Sequence, residues 1–114
     1  MDDVLDKAEL LDRVDQDMEF LAETVEMFNE DGPQLLSEIR DAVKRQDASA
    51  LAGAAHTFKG MVANFCAKAA VDAALSLEMT GKSGDLTGAA DALSTLEREA
   101  EQLKSALAEL LKGQ

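Results

Sequence analysis

Tryptophan and tyrosine are absent from this chain, and cysteine, proline and histidine occur once each. Four phenylalanines supply all of the aromatic content, so a core within these 114 residues has to be built from alanine, leucine, valine and methionine. Those side chains suit helices, whereas strands favour aromatic and β-branched residues. One cysteine cannot make an internal disulfide framework, which fits a reducing cytoplasm, and Cys66 is expected to pack as a small hydrophobe. Apolar runs are short and broken by charge, so neither a signal peptide nor a membrane span is expected. Basic residues are also scarce, 11 against 23 acids, for a net charge of −12. Binding to nucleic acid or to anionic membranes depends on neutralising phosphates with cations, so this balance argues against both.

The length fits one domain, residues 1–114 with a core over about 5–111. Asp6 followed by Glu9 forms a capping-box pattern ahead of Leu10, Leu11 and Val14, which predicts a short first helix. From about Asp17, Leu21, Val25, Phe28, Leu35, Ile39 and Val43 recur at helical spacing. Their register passes Gly32 and Pro33 without slipping. One long helix to about Gln46 is therefore expected, kinked where the proline removes a hydrogen bond and crowds the carbonyl of Asn29. Asp47 then caps a helix over about Ala48 to Phe65, with Leu51, Ala55, Phe58, Val62 and Phe65 as its buried stripe. A further helix is predicted from about Ala67 to Thr80, a loop over Gly81–Asp85, and a last helix from about Gly88 to Leu111. Leu93, Leu96, Ala100, Leu103, Leu107 and Leu110 mark the inner face of that last helix. Four amphipathic helices with short connections predict an all-α, antiparallel four-helix bundle carrying a short extra N-terminal helix.

Several chemical patterns fail on inspection. Gly81-Lys82-Ser83 echoes the end of a P-loop, but the required first glycine would fall at Ser76 and no strand precedes it. Same-face neighbours of His56 are Ala52 and Gly60, so no metal-ligand set forms on its helix. No serine has the context of a hydrolase nucleophile, and the many carboxylates read as solvated helix surface without an acid–base pair.

His56 itself stands out through its neighbours. At about 100° per residue it lies about 140° from the centre of the buried stripe, so its ring faces solvent. Gly53 and Gly60 flank it, each costing a helix about 1 kcal/mol relative to alanine. Ala52, Gly53, Lys59, Gly60 and Ala63 make the surrounding surface flat and nearly bare, as a docking partner would need. Lys59, three residues on, reaches the same face, where an ammonium can stabilise an anion on the ring. Neutral imidazole is a good nucleophile at phosphorus, which makes His56 a candidate phosphoryl acceptor.

The segment Ala54-Ala55-His56-Thr57-Phe58-Lys59-Gly60 resembles the H-T-L-K-G signature of histidine-containing phosphotransfer domains. The likeness extends over about Leu5 to Leu111, through Glu19 to Phe28, the Pro33 stretch, Asp47, Leu77-Glu78 and Gly84-Asp85. It implies a bundle that takes a phosphoryl group from the aspartate of one receiver domain onto His56 and passes it to the aspartate of another. By position Lys59 steadies the phosphoryl group, Gly60 gives the partner clearance, and Ala52, Gly53 and Ala63 belong to the docking surface. The resemblance implies no cofactor in this chain, with magnesium held by the partner receiver, and a cytoplasmic, monomeric domain either free-standing or part of a hybrid sensor kinase. Two other readings stand beside it: the phosphoacceptor domain of a chemotaxis-type kinase, phosphorylated from ATP by a separate catalytic domain, and a non-catalytic interaction bundle. Two positions depart from the family pattern. Met61 replaces a small residue on the side of the helix away from His56, and Cys66-Ala67 replaces a glycine followed by alanine at the turn into the next helix, where the backbone is expected to differ.

Overall fold

Aspartates open the first three helices. The side chains of Asp6, Asp17 and Asp47 accept hydrogen bonds from the backbone N–H groups of Glu9, Phe20 and Ala50, each at 3.0 Å. Each bond satisfies one of the donors that a helix start leaves unpaired. The computed structural model describes residues 4–112 and arranges them as α1 (Lys7–Arg13), α2 (Met18–Arg45), α3 (Ala48–Ala63), α4 (Lys68–Ser83) and α5 (Ala89–Lys112). There is no strand among the described residues, as the composition predicted.

Helix α2 runs unbroken through Pro33, so the uninterrupted apolar register was the correct guide. It closes on Gln46 in the left-handed conformation, φ 56°, whose N–H reaches the carbonyls of Ala42 and Val43. Helices α2 to α5 form a ring in which each packs on the next and α5 returns to α2. Leu21, Val25 and Phe28 of α2, Leu51, Ala55, Phe58 and Val62 of α3, Ala74 and Leu77 of α4, and Leu96, Leu103 and Leu107 of α5 are buried inside it. Burying a leucine or phenylalanine fully is worth about 1.5–3 kcal/mol, so these stripes dominate the stability. Phe28 anchors the aromatic cluster, its ring centroid 6.2 Å from Phe58 and 5.4 Å from Phe65.

Two element ends differ from the sequence prediction. Helix α3 stops at Ala63, so Phe65 is buried from the following turn rather than from the helix. Helix α4 continues to Ser83 and is closed by Gly84 at φ 79°, so Gly81, Lys82 and Ser83 are helical rather than loop. Gly81 is inside the helix because the helix is packed there: a Cβ at Gly81 would stand 2.7 Å from the backbone nitrogen of Ala52. It serves close approach of α3 and α4, not termination.

Between α3 and α4, Cys66 takes φ 56°, the left-handed conformation that glycine adopts at much lower cost. Cysteine thus occupies a backbone conformation that glycine would hold more easily. Helix α1 braces this turn: the Asp6 N–H donates to the Cys66 carbonyl at 3.0 Å, and the Arg13 guanidinium donates to the Ala63 carbonyl at 3.0 Å. Cys66 is half-buried, and burial, with a hydrogen bond to Glu9, pushes its thiol up to about 11. Its thiolate is disfavoured at neutral pH, so the side chain acts as packing rather than as a nucleophile. No described helix is long and apolar enough to cross a membrane.

Candidate functional site

The α3 stripe turns inward, which places His56 on the outer face with its side chain 67% exposed. Around it the backbone is bare: a Cβ built on Gly53 or Gly60 would meet nothing within 4 Å. Neither glycine is required by packing, so the cleared space faces outward. The α4 side is different. Gly81 draws the backbones of α3 and α4 together, and one turn earlier in α4 the carboxylate of Glu78, only 3% exposed, lies under the imidazole.

Glu78 gathers three donors. Its Oε2 is 2.9 Å from His56 Nδ1 and 3.2 Å from the Lys82 ammonium, while its Oε1 accepts from Lys59 at 2.6 Å. The Lys59 ammonium first, then Lys82 and the ring N–H, hold the carboxyl down at about 2 against the opposing effect of burial. Glu78 is therefore ionised at any physiological pH and can only accept. The hydrogen on the His56–Glu78 bond must then belong to the ring. With the proton fixed on Nδ1, the neutral ring leaves the lone pair on Nε2, the nitrogen farther from Glu78. The site thus presents an oriented nucleophilic nitrogen, backed by a buried anion, on a helix face left open at Gly53 and Gly60.

The residues singled out from sequence are only partly brought together. His56, Lys59 and the two glycines share the exposed region of α3, but the Lys59 ammonium is bound to Glu78 and its side chain is 26% exposed. It is not a free cation waiting beside the ring. Ala52 is half-buried against Gly81, and Ala63 is half-buried where Arg13 holds its carbonyl, so Gly53 is the most open of the three docking positions. Met61 lies half-buried in a groove between α2 and α3 beside Met27, consistent with a position facing away from His56.

The general reading of carboxylates as solvated surface missed Glu78, and Lys82 was passed over as loop. The signal was present in α4: Ala74, Leu77 and Gly81 are buried at four, one and three residues from Glu78, so this acid sits at the edge of an apolar face. A buried acid requires partners. Lys82 at i+4 is one of them, and the others come from α3, which periodicity within α4 alone does not reveal.

Among solved structures, the crystal structure of histidine-containing phosphotransfer protein B (HptB) from Pseudomonas aeruginosa PAO1 is similar with a TM-score of 0.91 and 23% sequence identity, covering 100% of this chain and 99% of that one. At that identity the likeness establishes the fold. No curated protein matches the chain. The family model described as Hpt domain matches residues 23–110, a span that includes α3, the Glu78 contact and most of the bundle. The chain belongs to the Hpt domain family.

Proposed function

We propose that this protein carries phosphoryl groups between receiver domains, with His56 Nε2 as the acceptor. The observation that carries this reading is the hydrogen bond from Nδ1–H to the buried, ionised Glu78. In the forward step the Nε2 lone pair attacks phosphorus of a receiver's aspartyl phosphate. The P–O bond to the aspartate breaks, and its electron pair returns to the carboxylate. No proton has to move: Nδ1–H stays on the ring, which gains positive charge as the N–P bond forms, and Glu78 lies where it stabilises that charge. Delivery to a second receiver is the same step reversed.

In this scheme Lys59 neutralises Glu78 and keeps the local field favourable to an anion. Without it the buried carboxylate would oppose the arriving phosphoryl group. Gly53 and Gly60 admit the receiver, and Ala52 and Ala63 are peripheral. Leu75 and Met79, exposed on α4 beside Glu78, extend the contact surface with apolar area. Such transfer relies on positioning and charge neutralisation, with magnesium supplied by the receiver, so this chain needs no cofactor of its own. We place it in the cytoplasm, as a free-standing protein or a domain of a hybrid kinase.

The test is incubation with a panel of phosphorylated receiver domains, scoring an acid-labile, base-stable phosphate on this chain. His56→Gln is expected to abolish labelling; equal labelling of parent and variant would overturn the assignment. Transfer in the absence of any ATP-dependent catalytic domain separates this reading from a chemotaxis-type phosphoacceptor.

A further inference from the structure

Methionine is a side chain for the inside of a bundle, yet two stand outside this one. Met27 of α2 is 62% exposed and Met79 of α4 is 56% exposed, whereas Met18 and Met61 are half-buried. Both exposed thioethers border the helix face that carries His56. Met27 shares a groove with Thr57 and Met61 of α3, and Thr57 is the residue after the histidine. Met79 follows Glu78 in α4 and lies one turn from Lys82, whose ammonium reaches that carboxylate. On α3, Thr57 and Met61 turn toward α2 and Lys59 turns toward α4; at about 100° per residue, Gly53 and Gly60 fall between them. A partner seated over the glycines therefore meets a methionine on each side. A second observation concerns the other sulfur. Cys66 is half-buried, and burial, with Glu9, pushes its thiol up to about 11, so the thiolate that oxidants attack is scarce. The accessible oxidisable sulfur among the described residues is thioether, and it lies around the acceptor.

We propose that Met27 and Met79 are oxidation sites through which a peroxide turns off docking of the receiver while leaving the phosphoryl chemistry of His56 intact. This inference rests on His56 being the acceptor and on the open face of α3 being the landing surface. In the modification a thioether lone pair attacks one oxygen of hydrogen peroxide. The S–O bond forms, the O–O bond breaks with its electron pair leaving on hydroxide, and the proton of the transferred oxygen passes to that hydroxide to give water. Sulfur is oxidised by two electrons and the peroxide is reduced by two. The product replaces apolar contact area with a polar sulfoxide. Water satisfies that oxygen on the free bundle, whereas a docked partner strips the water away and leaves it unpaired. His56, Lys59 and Glu78 contain no sulfur, so their hydrogen bonds survive the change. Methionine sulfoxide reductases reverse the modification, which makes it a switch rather than damage.

The experiment treats the folded protein with hydrogen peroxide, destroys the excess with catalase, and locates the added oxygen by peptide mass spectrometry. Met27 and Met79 are expected to react ahead of Met18 and Met61; the reverse order would overturn the assignment. Phosphorylation is then timed from a phosphorylated receiver that labels the untreated parent, and separately from phosphoramidate, a small donor that needs no docking. With phosphoramidate, Nε2 attacks phosphorus, the P–N bond breaks, and ammonia leaves with that electron pair. Oxidation is expected to slow the receiver reaction about tenfold, as burial of unpaired polar oxygen requires, and to leave the phosphoramidate reaction at its untreated rate. Every protein is compared with its own untreated sample. On that basis the double variant Met27→Leu, Met79→Leu is expected to keep its receiver rate after peroxide, and the oxidised parent to recover its rate with methionine sulfoxide reductases. Three results would overturn the switch while leaving His56 as acceptor: an unchanged receiver rate in the oxidised parent, an equal loss in the double variant, or a phosphoramidate rate that falls in step with the receiver rate. Loss of helical circular dichroism on oxidation would overturn it as well, because both side chains lie outside the core. If phosphoramidate labelled His56→Gln as fast as the parent, the acceptor assignment itself would fall.

Discussion

Glu78 is the residue on which the site depends, because it orients the ring and holds both lysines. Replacing it by glutamine keeps the shape but allows an amide N–H to face Nδ1, so the ring is free to take the other tautomer. Glu78→Gln is expected to slow phosphorylation by at least about tenfold, or roughly 1.4 kcal/mol in the barrier. Nitrogen-15 shifts of the imidazole should show loss of the fixed Nδ1–H form. The acid side follows from the same carboxyl. Its value in the fold, about 2, lies below the ordinary one, so its stabilising contribution is complete above about pH 4.3 and is lost as pH falls toward 2. Acid unfolding followed by circular dichroism should therefore lose part of its steepness in that window in Glu78→Gln. Gly53 and Gly60 obey a different rule. Alanine at either position meets open space, so each substitution is expected to stabilise the bundle by about 0.5–1 kcal/mol in thermal melts while slowing transfer from receivers.

At the scale of elements, most of the architecture was legible because helix starts and apolar stripes are local properties. Asp6 and Asp47 announced two of the helices, and the stripe of α2 correctly overrode Pro33. The errors fell where a neighbouring helix decides. Gly81 read as a stop signal, yet α3 lies against it so closely that only glycine fits. Gly81→Ala is expected to destabilise the protein by about 1–3 kcal/mol and to part α3 from α4, which chemical denaturation and loss of the His56–Glu78 coupling would report. The site was half legible for the same reason. His56 and its glycines lie in one helix, but Glu78 and Lys82 act across an interface. Gln46 supplies an independent check on local conformation: it is exposed and left-handed, so Gln46→Gly is expected to raise stability by about 1 kcal/mol.

For the whole molecule, the net charge of −12 acts at distances where individual contacts do not. A receiver of similar sign is repelled on approach, and added salt screens that repulsion. Transfer from an acidic receiver is expected to become faster as ionic strength rises from about 0.01 to 0.15 M, measured as the second-order rate constant; a fall would show that local attraction at the lysines controls the encounter. The bundle is otherwise a rigid mount, with α1 tied to the α3–α4 turn and an ion pair between Arg40 and Glu97 joining α2 to α5.

The empty space over Gly53 and Gly60 also sets what kind of selection can preserve this protein. A screen for resistance to heat or protease would reward filling those positions and would score each replacement as an improvement. Only a screen that demands an encounter with another molecule would restore the glycines. Stability-optimised descendants of this chain should therefore be well-folded, long-lived and silent.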